Sequence, residues 1–209
     1  MKKNESTLMS LAKKYGTDKL SHGYIPHYEN IFKKIKDKKL DILEIGVREG
    51  WSHLMWGEYF KNSRIYGIDN FASPIFKDPN KRRYNFKNIK VFIGDQTDEQ
   101  FLDKSINFNL DIIIDDGGHK ISHHQISLGN LFRKLRPGGF YIIEDLDTCN
   151  IEKYIDVPDR KFTTLNFLKN INNKDVESFF IKGNDLKYIQ NNIRNINLFN
   201  EKLAIIEKI

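Results

Sequence analysis

The chain has 209 residues, enough for one domain with a large core and an appended lobe. Its formal charge is +6 and its pI about 9.2, a modest lysine-rich excess that a solvated surface explains and that also suits an anionic substrate. Cys149 is the single cysteine, which excludes an intrachain disulfide and a thiolate zinc cluster, and no apolar run approaches the length of a membrane span. The opening Met-Lys-Lys-Asn-Glu has no hydrophobic segment behind it, so the expectation is a cytoplasmic protein without a signal peptide.

Residues 5–15 read as a short helix with Leu8, Leu11 and Ala12 on one face. Gly16-Thr17-Asp18-Lys19 interrupts it, and Thr17 or Asp18 is placed to cap the next element. His22, Tyr24, His27 and Tyr28 form a polar-aromatic cluster, suited to a pocket wall or to a collar packed on the main domain. Residues 27–36 have helical spacing. Residues 40–46 are a strand of buried type ending in a turn bracketed by Gly46 and Gly50. Free backbone N–H groups at the following helix start can receive a carboxylate or phosphate. Trp51 and Trp56 flank that helix, as core or as cover for a cofactor.

Residues 64–69 form a second strand ending in Asp69, one β-α-β unit later, where an acid commonly takes the two hydroxyls of an adenosine ribose. Residues 70–86 are a longer connection carrying Lys81-Arg82-Arg83, a solvated face or a contact for an anionic group. Residues 89–93 are a third strand, followed by Gly94-Asp95-Gln96. Asp95 or Gln96 can meet the amine of an adenine, or Asp95 can cap the helix starting near Thr97.

Two stretches then end in paired acids. Residues 110–114 are continuous and apolar but for Asp111, and run into Asp115-Asp116-Gly117-Gly118-His119. Residues 140–143 run into Glu144-Asp145. Adjacent carboxylates stay ionised cheaply only with solvent, hydrogen bonds or a cation. The carboxyl ends of parallel strands are where open α/β sheets bind ligands, so four carboxylates and an imidazole are expected in one crevice. A helix from His119 to about Leu135 separates the two strands, ended by Arg136-Pro137-Gly138-Gly139. Residues 146–160 look like a site loop and 161–171 like a helix. Residues 179–182 and 202–208 read as late strands, an antiparallel pair closing a sheet of about seven.

Leu43-Glu44-Ile45-Gly46-Val47, Gly67-Ile68-Asp69, Gly94-Asp95-Gln96, Asp115–His119 and Leu135–Gly139 together resemble the class I S-adenosylmethionine-dependent methyltransferases. Tyr15-Gly16-Thr17-Asp18-Lys19 and Ile143-Glu144-Asp145-Leu146 narrow the resemblance to the metal-dependent sugar O-methyltransferases of the macrolide type. It covers roughly residues 11–148. It implies an α/β, Rossmann-like fold: a mostly parallel seven-stranded sheet with helices on both faces. Residues 1–38 become an N-terminal helical cap, and 39–209 a methyltransferase domain with a substrate-shaping insertion at about 146–175.

The resemblance also implies roles. Glu44 and Gly46 lie against the methionine end of S-adenosylmethionine, Asp69 takes the ribose, and Asp95 and Gln96 lie near the adenine. Thr17, Asp18 and Lys19 close over the cofactor, with Asp115 beside it. Asp116, Glu144 and Asp145 bind Mg2+, and His119 is the proton acceptor beside Asp116. The family usually has serine where Gly118 stands and histidine where Asp147 stands. The implied reaction is metal-dependent methyl transfer to a sugar hydroxyl, on a nucleotide-sugar or surface-glycan precursor. Other readings are an amine or phosphorus-linked oxygen as acceptor, and an NAD-type oxidoreductase, although the first turn lacks the full Gly-x-Gly-x-x-Gly. A homodimer acting on a small molecule is expected, phosphorylated where the basic balance matters, with neither nucleic acid nor membrane as partner.

Overall fold

The computed structural model describes residues 7–72 and 87–209. Lys81-Arg82-Arg83 lies outside the described residues, so its two readings stay open. Seven strands form one sheet: β1 Asp41–Ile45, β2 Arg64–Asp69, β3 Ile89–Ile93, β4 Leu110–Asp115, β5 Leu135–Ile143, β6 Ile193–Phe199 and β7 Leu203–Lys208. Their order is β3-β2-β1-β4-β5-β7-β6. The first five are parallel, and β7 runs antiparallel between β5 and β6.

Both faces of the sheet are covered, and the side-chain alternation of each strand assigns its residues. Ile42, Ile112, Ile114 and Ile142 pack toward α1 (Leu8–Tyr15), α2 (Ile25–Phe32) and α3 (Trp51–Tyr59). Leu43, Ile113, Tyr141 and Ile143 face α4 (Glu99–Ser105), α5 (Ile121–Leu131), α6 (Thr164–Asn170) and α7 (Gly183–Asn192). Each isoleucine fully buried this way contributes about 1.5–3 kcal/mol. The N-terminal helices share this core. Leu8, Leu11, Tyr28 and Phe32 lie in one cluster with Met55, Trp56 and the strand residues. Trp56 is therefore core, packed edge-to-face against Tyr28 and Phe32 and tilted against Phe60.

Local chemistry sets the ends of these elements. The Thr7 hydroxyl accepts from the Ser10 N–H at the start of α1, and Gly16 closes the helix in the left-handed region at φ 69°. Asp98, rather than Asp95, caps α4 by accepting from the Phe101 N–H at 3.0 Å.

The late strands are a correction. Residues 179–182 are not a strand. Ile181 is buried against α5 at Gly129, and Phe179 is half exposed. The Phe180 N–H donates to Gln125 Oε1, so this backbone is satisfied by a side chain. The partner of β7 is β6, through a hairpin whose three-residue loop, 200–202, has positive φ at Asn200 and Glu201, with the Lys202 N–H donating to Phe199 O at 2.9 Å. That is the pattern of a type I′ turn, which matches the twist of its strands. Asparagines at 195 and 197 depress strand propensity, yet an edge strand with polar residues on alternate positions tolerates them.

One buried residue on α5 carries a stability consequence. His124 is fully buried, and neither ring nitrogen has a hydrogen-bond partner among the described residues. Burial holds its imidazole well below the ordinary histidine range, with the nearby histidines adding to the effect. The folded state thus binds this proton more weakly than the unfolded chain. Stability is lost as pH falls through the unfolded histidine value, about 6.5, at up to about 1.4 kcal/mol per pH unit. His124→Leu should flatten the fall in urea-unfolding stability between pH 8 and pH 5. Parallel falls in both proteins would clear His124 of the acid sensitivity.

Candidate active site

The strand order reverses between β1 and β4, and the candidate site lies at the carboxyl ends flanking that point. The Asp116 N–H donates to Ile45 O at 3.0 Å, and the Glu144 N–H to Asp115 O at 3.0 Å. These bonds carry the ladders one residue past the strands and fix Asp116 and Glu144 side by side. Gly46 has φ 92°, and a Cβ there would stand 2.0 Å from Asp116 O. The β1 turn and the β4 turn therefore touch backbone to backbone, which only glycine permits.

A cavity of about 400 Å³ opens above this contact. Gly46, Asp69, Asp95, Gln96, Gly117 and Asp145 line it, with Asp18, Asp116 and His119. Four non-glycine residues in its wall, Arg48, Phe71, His119 and Asp145, have φ between 49° and 58°. Each such residue costs about 1–3 kcal/mol, and strain of this kind gathers at functional sites. The Thr148 hydroxyl lies 2.7 Å from Asp145 O and 3.1 Å from His119 O, bracing two of the four.

The acids divide into two groups that share Asp116. In the inner group, Lys19 Nζ lies 3.0 Å from Glu44 Oε1, 2.6 Å from Asp116 Oδ2 and 2.7 Å from Glu144 Oε1. Lys19 is fully buried. Burial opposes its charge, but the three carboxylates overcome that and raise its pKa well above the lysine range. The Tyr28 hydroxyl also donates to Glu144 Oε1. Burial and then Asp116 push Glu144 well above the carboxylate range, against Lys19 and Tyr28. Burial likewise raises Asp116, with Lys19 pulling the other way. Glu44 differs: burial is outweighed by Lys19 and His53, and its pKa falls to about 2. Ser52 Oγ and His53 Nδ1 hold its other oxygen at 2.7 and 2.9 Å.

The outer group faces the cavity. His119 Nε2 is 4.0 Å from Asp116 Oδ1 and 3.7 Å from Asp145 Oδ2. These distances are too long for hydrogen bonds, so the three groups converge without closing on each other. Tyr24 Oη donates to Asp145 Oδ1 at 2.6 Å, and His22 Nδ1 lies 3.3 Å from the same oxygen. Burial and this bond raise the Tyr24 phenol well above its ordinary value, so it stays a donor. The oxygen-rich set suits a hard divalent cation. One ligand atom each from Asp116, His119 and Asp145 lies within 4.8 Å of the others, and so does one each from Glu44, Asp116 and Glu144. Asp116, Glu144 and Asp145, the set expected from sequence, are thus split between the two groups.

The residues expected around a cofactor also separate. Asp69 uses Oδ2 to accept from the Val47 and Arg48 N–H groups at 2.8 and 2.9 Å, and Oδ1 to accept from Phe71 at 2.6 Å. It pins the β1 turn and still lines the cavity. Asp95 accepts from the Thr97 N–H and from Asn70. Gln96 donates to Asp115 Oδ1 at 3.1 Å and to Ser127 Oγ, and accepts from the Gly118 N–H at 2.7 Å. Its amide is committed on both ends, so its place near an adenine rests on contact. Asp115 is fully buried and lies beneath the cavity wall, not in it; burial pushes its pKa up to about 7. Glu44 and Lys19 are likewise below the wall, because each is consumed by the inner group. Asp18 lies at the rim, paired with Arg48 at 2.6 Å. Thr17 lines an adjoining cleft with a buried hydroxyl that has no partner among the described residues.

Both departures from the family motif have local explanations. A Cβ on Gly118 would lie 1.9 Å from His123 Nδ1, so the missing side chain makes room for an imidazole in the cavity wall. Asp147 lies 3.3 Å from Lys202 Nζ at the surface, so its charge is met there. His22, Tyr24 and Tyr28 stood out in the sequence as an aromatic cluster without a defined task. Only the fold shows that they grip Asp145 and Glu144. Arg48 and Phe71 carried no sequence signal as cavity residues.

The sheet order, the glycine turn and the strand-end acids define a class I methyltransferase, and this chain belongs to that class. Residues 43–146 match the model of a family described as a methyltransferase domain. The chain is 34% identical to the Mycinamicin VI 2''-O-methyltransferase of Micromonospora griseorubida over 154 residues, 68% of this chain and 36% of that protein. It is 34% identical to the Demethylmacrocin O-methyltransferase of Streptomyces fradiae over 156 residues, 70% of this chain and 36% of that one. Among solved structures it is similar to the MycE methyltransferase of the mycinamycin biosynthetic pathway in complex with Mg, SAH and mycinamycin VI. There the TM-score is 0.80 at 29% identity, over 98% of this chain and 55% of that one. The chain thus spans little more than a third of the length of the curated relatives it matches.

Proposed function

We propose that this chain transfers a methyl group from S-adenosylmethionine to a hydroxyl of a sugar carried on a small molecule, with magnesium. The observation that supports it most is the outer acid group, with His119 among the acids, beside the glycine-lined cavity at the β1/β4 switch point. The names of the relatives point the same way: two are O-methyltransferases of mycinamicin VI and of demethylmacrocin, and another is an 8-demethyl-8-alpha-L-rhamnosyl tetracenomycin-C 2'-O-methyltransferase.

Asp116, Glu144 and Asp145 would hold the ion. When bound, it supplies a Lewis acid beside the acceptor hydroxyl. His119 takes the hydroxyl proton as the oxygen–carbon bond forms and the carbon–sulfur bond breaks. Tyr24 and His22 fix Asp145, and Thr148 fixes the backbone of both turns, so the geometry is set before substrate arrives. Gly46 and Asp69 shape the floor for the cofactor. Residues 1–38 and 146–175 shape the acceptor side in this reading.

The test is methyl transfer from labelled S-adenosylmethionine to a panel holding a macrolide glycoside, a nucleotide-sugar and a primary amine. Label should enter the glycoside, vanish with EDTA and return with magnesium. Full transfer after exhaustive chelation would remove the metal from the reading. Label in the amine alone would move the acceptor class, and affinity for NAD without affinity for S-adenosylhomocysteine would overturn the cofactor.

A further inference from the structure

Lys19 is the unusual member of the site. A lysine is rarely buried completely, and this one has its ammonium among three carboxylate oxygens at 2.6–3.0 Å. The same three acids, Glu44, Asp116 and Glu144, form one of the two groups with a spacing that could hold a metal ion. The other group, Asp116 with His119 and Asp145, is only partly buried and lines the cavity. Asp116 belongs to both: Oδ2 turns to Lys19 and Oδ1 to His119.

We propose that Lys19 is the resident cation of the inner carboxylate group, holding one oxygen each of Glu44, Asp116 and Glu144 so that no divalent ion is needed among the three. Lys19 acts through the acids, as a positioning residue. Three carboxylates packed without a countercharge repel one another and lose solvation, and a tethered ammonium offsets both costs. The tether matters. Lys19 sits in the short helical turn Asp18–Leu20, between α1 and α2, so its charge arrives with the N-terminal helices when they dock on the sheet. The backbone supports this placement, because Lys19 O accepts from the Tyr24 N–H and Tyr24 in turn grips Asp145. One segment thereby orders the inner acids by charge and an outer acid by a hydrogen bond.

The inference uses the magnesium reading only in one arm of its test. Thermal melts, without S-adenosylmethionine, would be compared for wild type, Lys19→Met and Lys19→Met/Glu44→Gln, in EDTA and in excess magnesium. In EDTA, Lys19→Met should melt about 6–20 °C below wild type, the scale of a broken buried ion pair in a domain of this size. Magnesium should raise the melting temperature of Lys19→Met more than that of wild type, because the emptied inner group can take the ion. Removing one carboxylate should recover part of the loss in EDTA, although Glu44→Gln restores no packing at position 19. If the single variant does not fold in EDTA, the double variant still should. A double variant no more stable than the single one would overturn the proposal, since Lys19 would then act by packing. A single variant as stable as wild type in EDTA would overturn it too. If magnesium shifts no protein at all, the metal reading of the function fails, and the Glu44→Gln rescue alone decides the role of Lys19.

Discussion

Turnover should fall about 10²–10⁴-fold in His119→Ala, the usual cost of a lost general base, with binding of S-adenosylhomocysteine nearly unchanged. The reason is placement. His119 Nε2 stands 3.7 Å from Asp145 and 4.0 Å from Asp116, close enough to serve a hydroxyl held by those acids. Its ring is kept there by a left-handed backbone at φ 58° and by ring contact with Tyr154. Alanine tolerates that φ poorly, so the substitution could also disturb the turn. His119→Asn separates the two effects, since asparagine enters the left-handed region more readily and is no base. Both variants should lose turnover alike in single-turnover assays, and a higher pH should partly restore both as the acceptor ionises unaided. Near-normal turnover in His119→Asn would show that His119 maintains the turn and does not take the proton. Loss of magnesium binding in both would make it a ligand.

The sheet was legible because its signals are local. Three consecutive isoleucines at 112–114 announce a strand buried on both faces, and paired acids immediately after announce its functional end. The glycine turn after β1 and the acid ending β2 were readable for the same reason: each is a short run with one physical requirement. Residues 193–199 were not readable, because asparagines mask an edge strand whose stability comes from pairing with β7 and from a left-handed hairpin turn. The candidate site was legible only in part. The motif names Asp116, Glu144 and Asp145 together, and the fold brings them to neighbouring strand ends, yet the motif does not say which oxygens turn inward. That depends on Lys19, which lies 97 residues from Asp116 and 125 from Glu144 along the chain. The burial of Asp115 and the internal use of Gln96 follow from side-chain direction at a strand end, a matter of tertiary packing.

The contact between the two turns gives the other large effect. Gly46→Ala should destabilise the protein by about 2–6 kcal/mol, out of the 5–15 typical of a domain, and should abolish binding of S-adenosylhomocysteine. Two costs add. A side chain at φ 92° is strained whatever surrounds it, and its Cβ would stand 2.0 Å from Asp116 O and 3.3 Å from Gly117 Cα. Backbone cannot swing aside as a flexible side chain can, so the β1 turn and the β4 turn must part. Asp116 then moves relative to Asp145 and Lys19, and the cavity floor opens. Gly138 supplies the control. Its φ is 75°, and a Cβ there meets nothing within 4 Å, so Gly138→Ala carries the strain without the collision. It should cost about 1 kcal/mol and leave ligand binding intact. Urea unfolding and calorimetric titration of both variants resolve the two terms. Equal losses of stability would mean that the close approach of the turns is not what glycine is needed for at position 46. A stable Gly46→Ala that still binds S-adenosylhomocysteine would take the cofactor floor away from the β1/β4 contact.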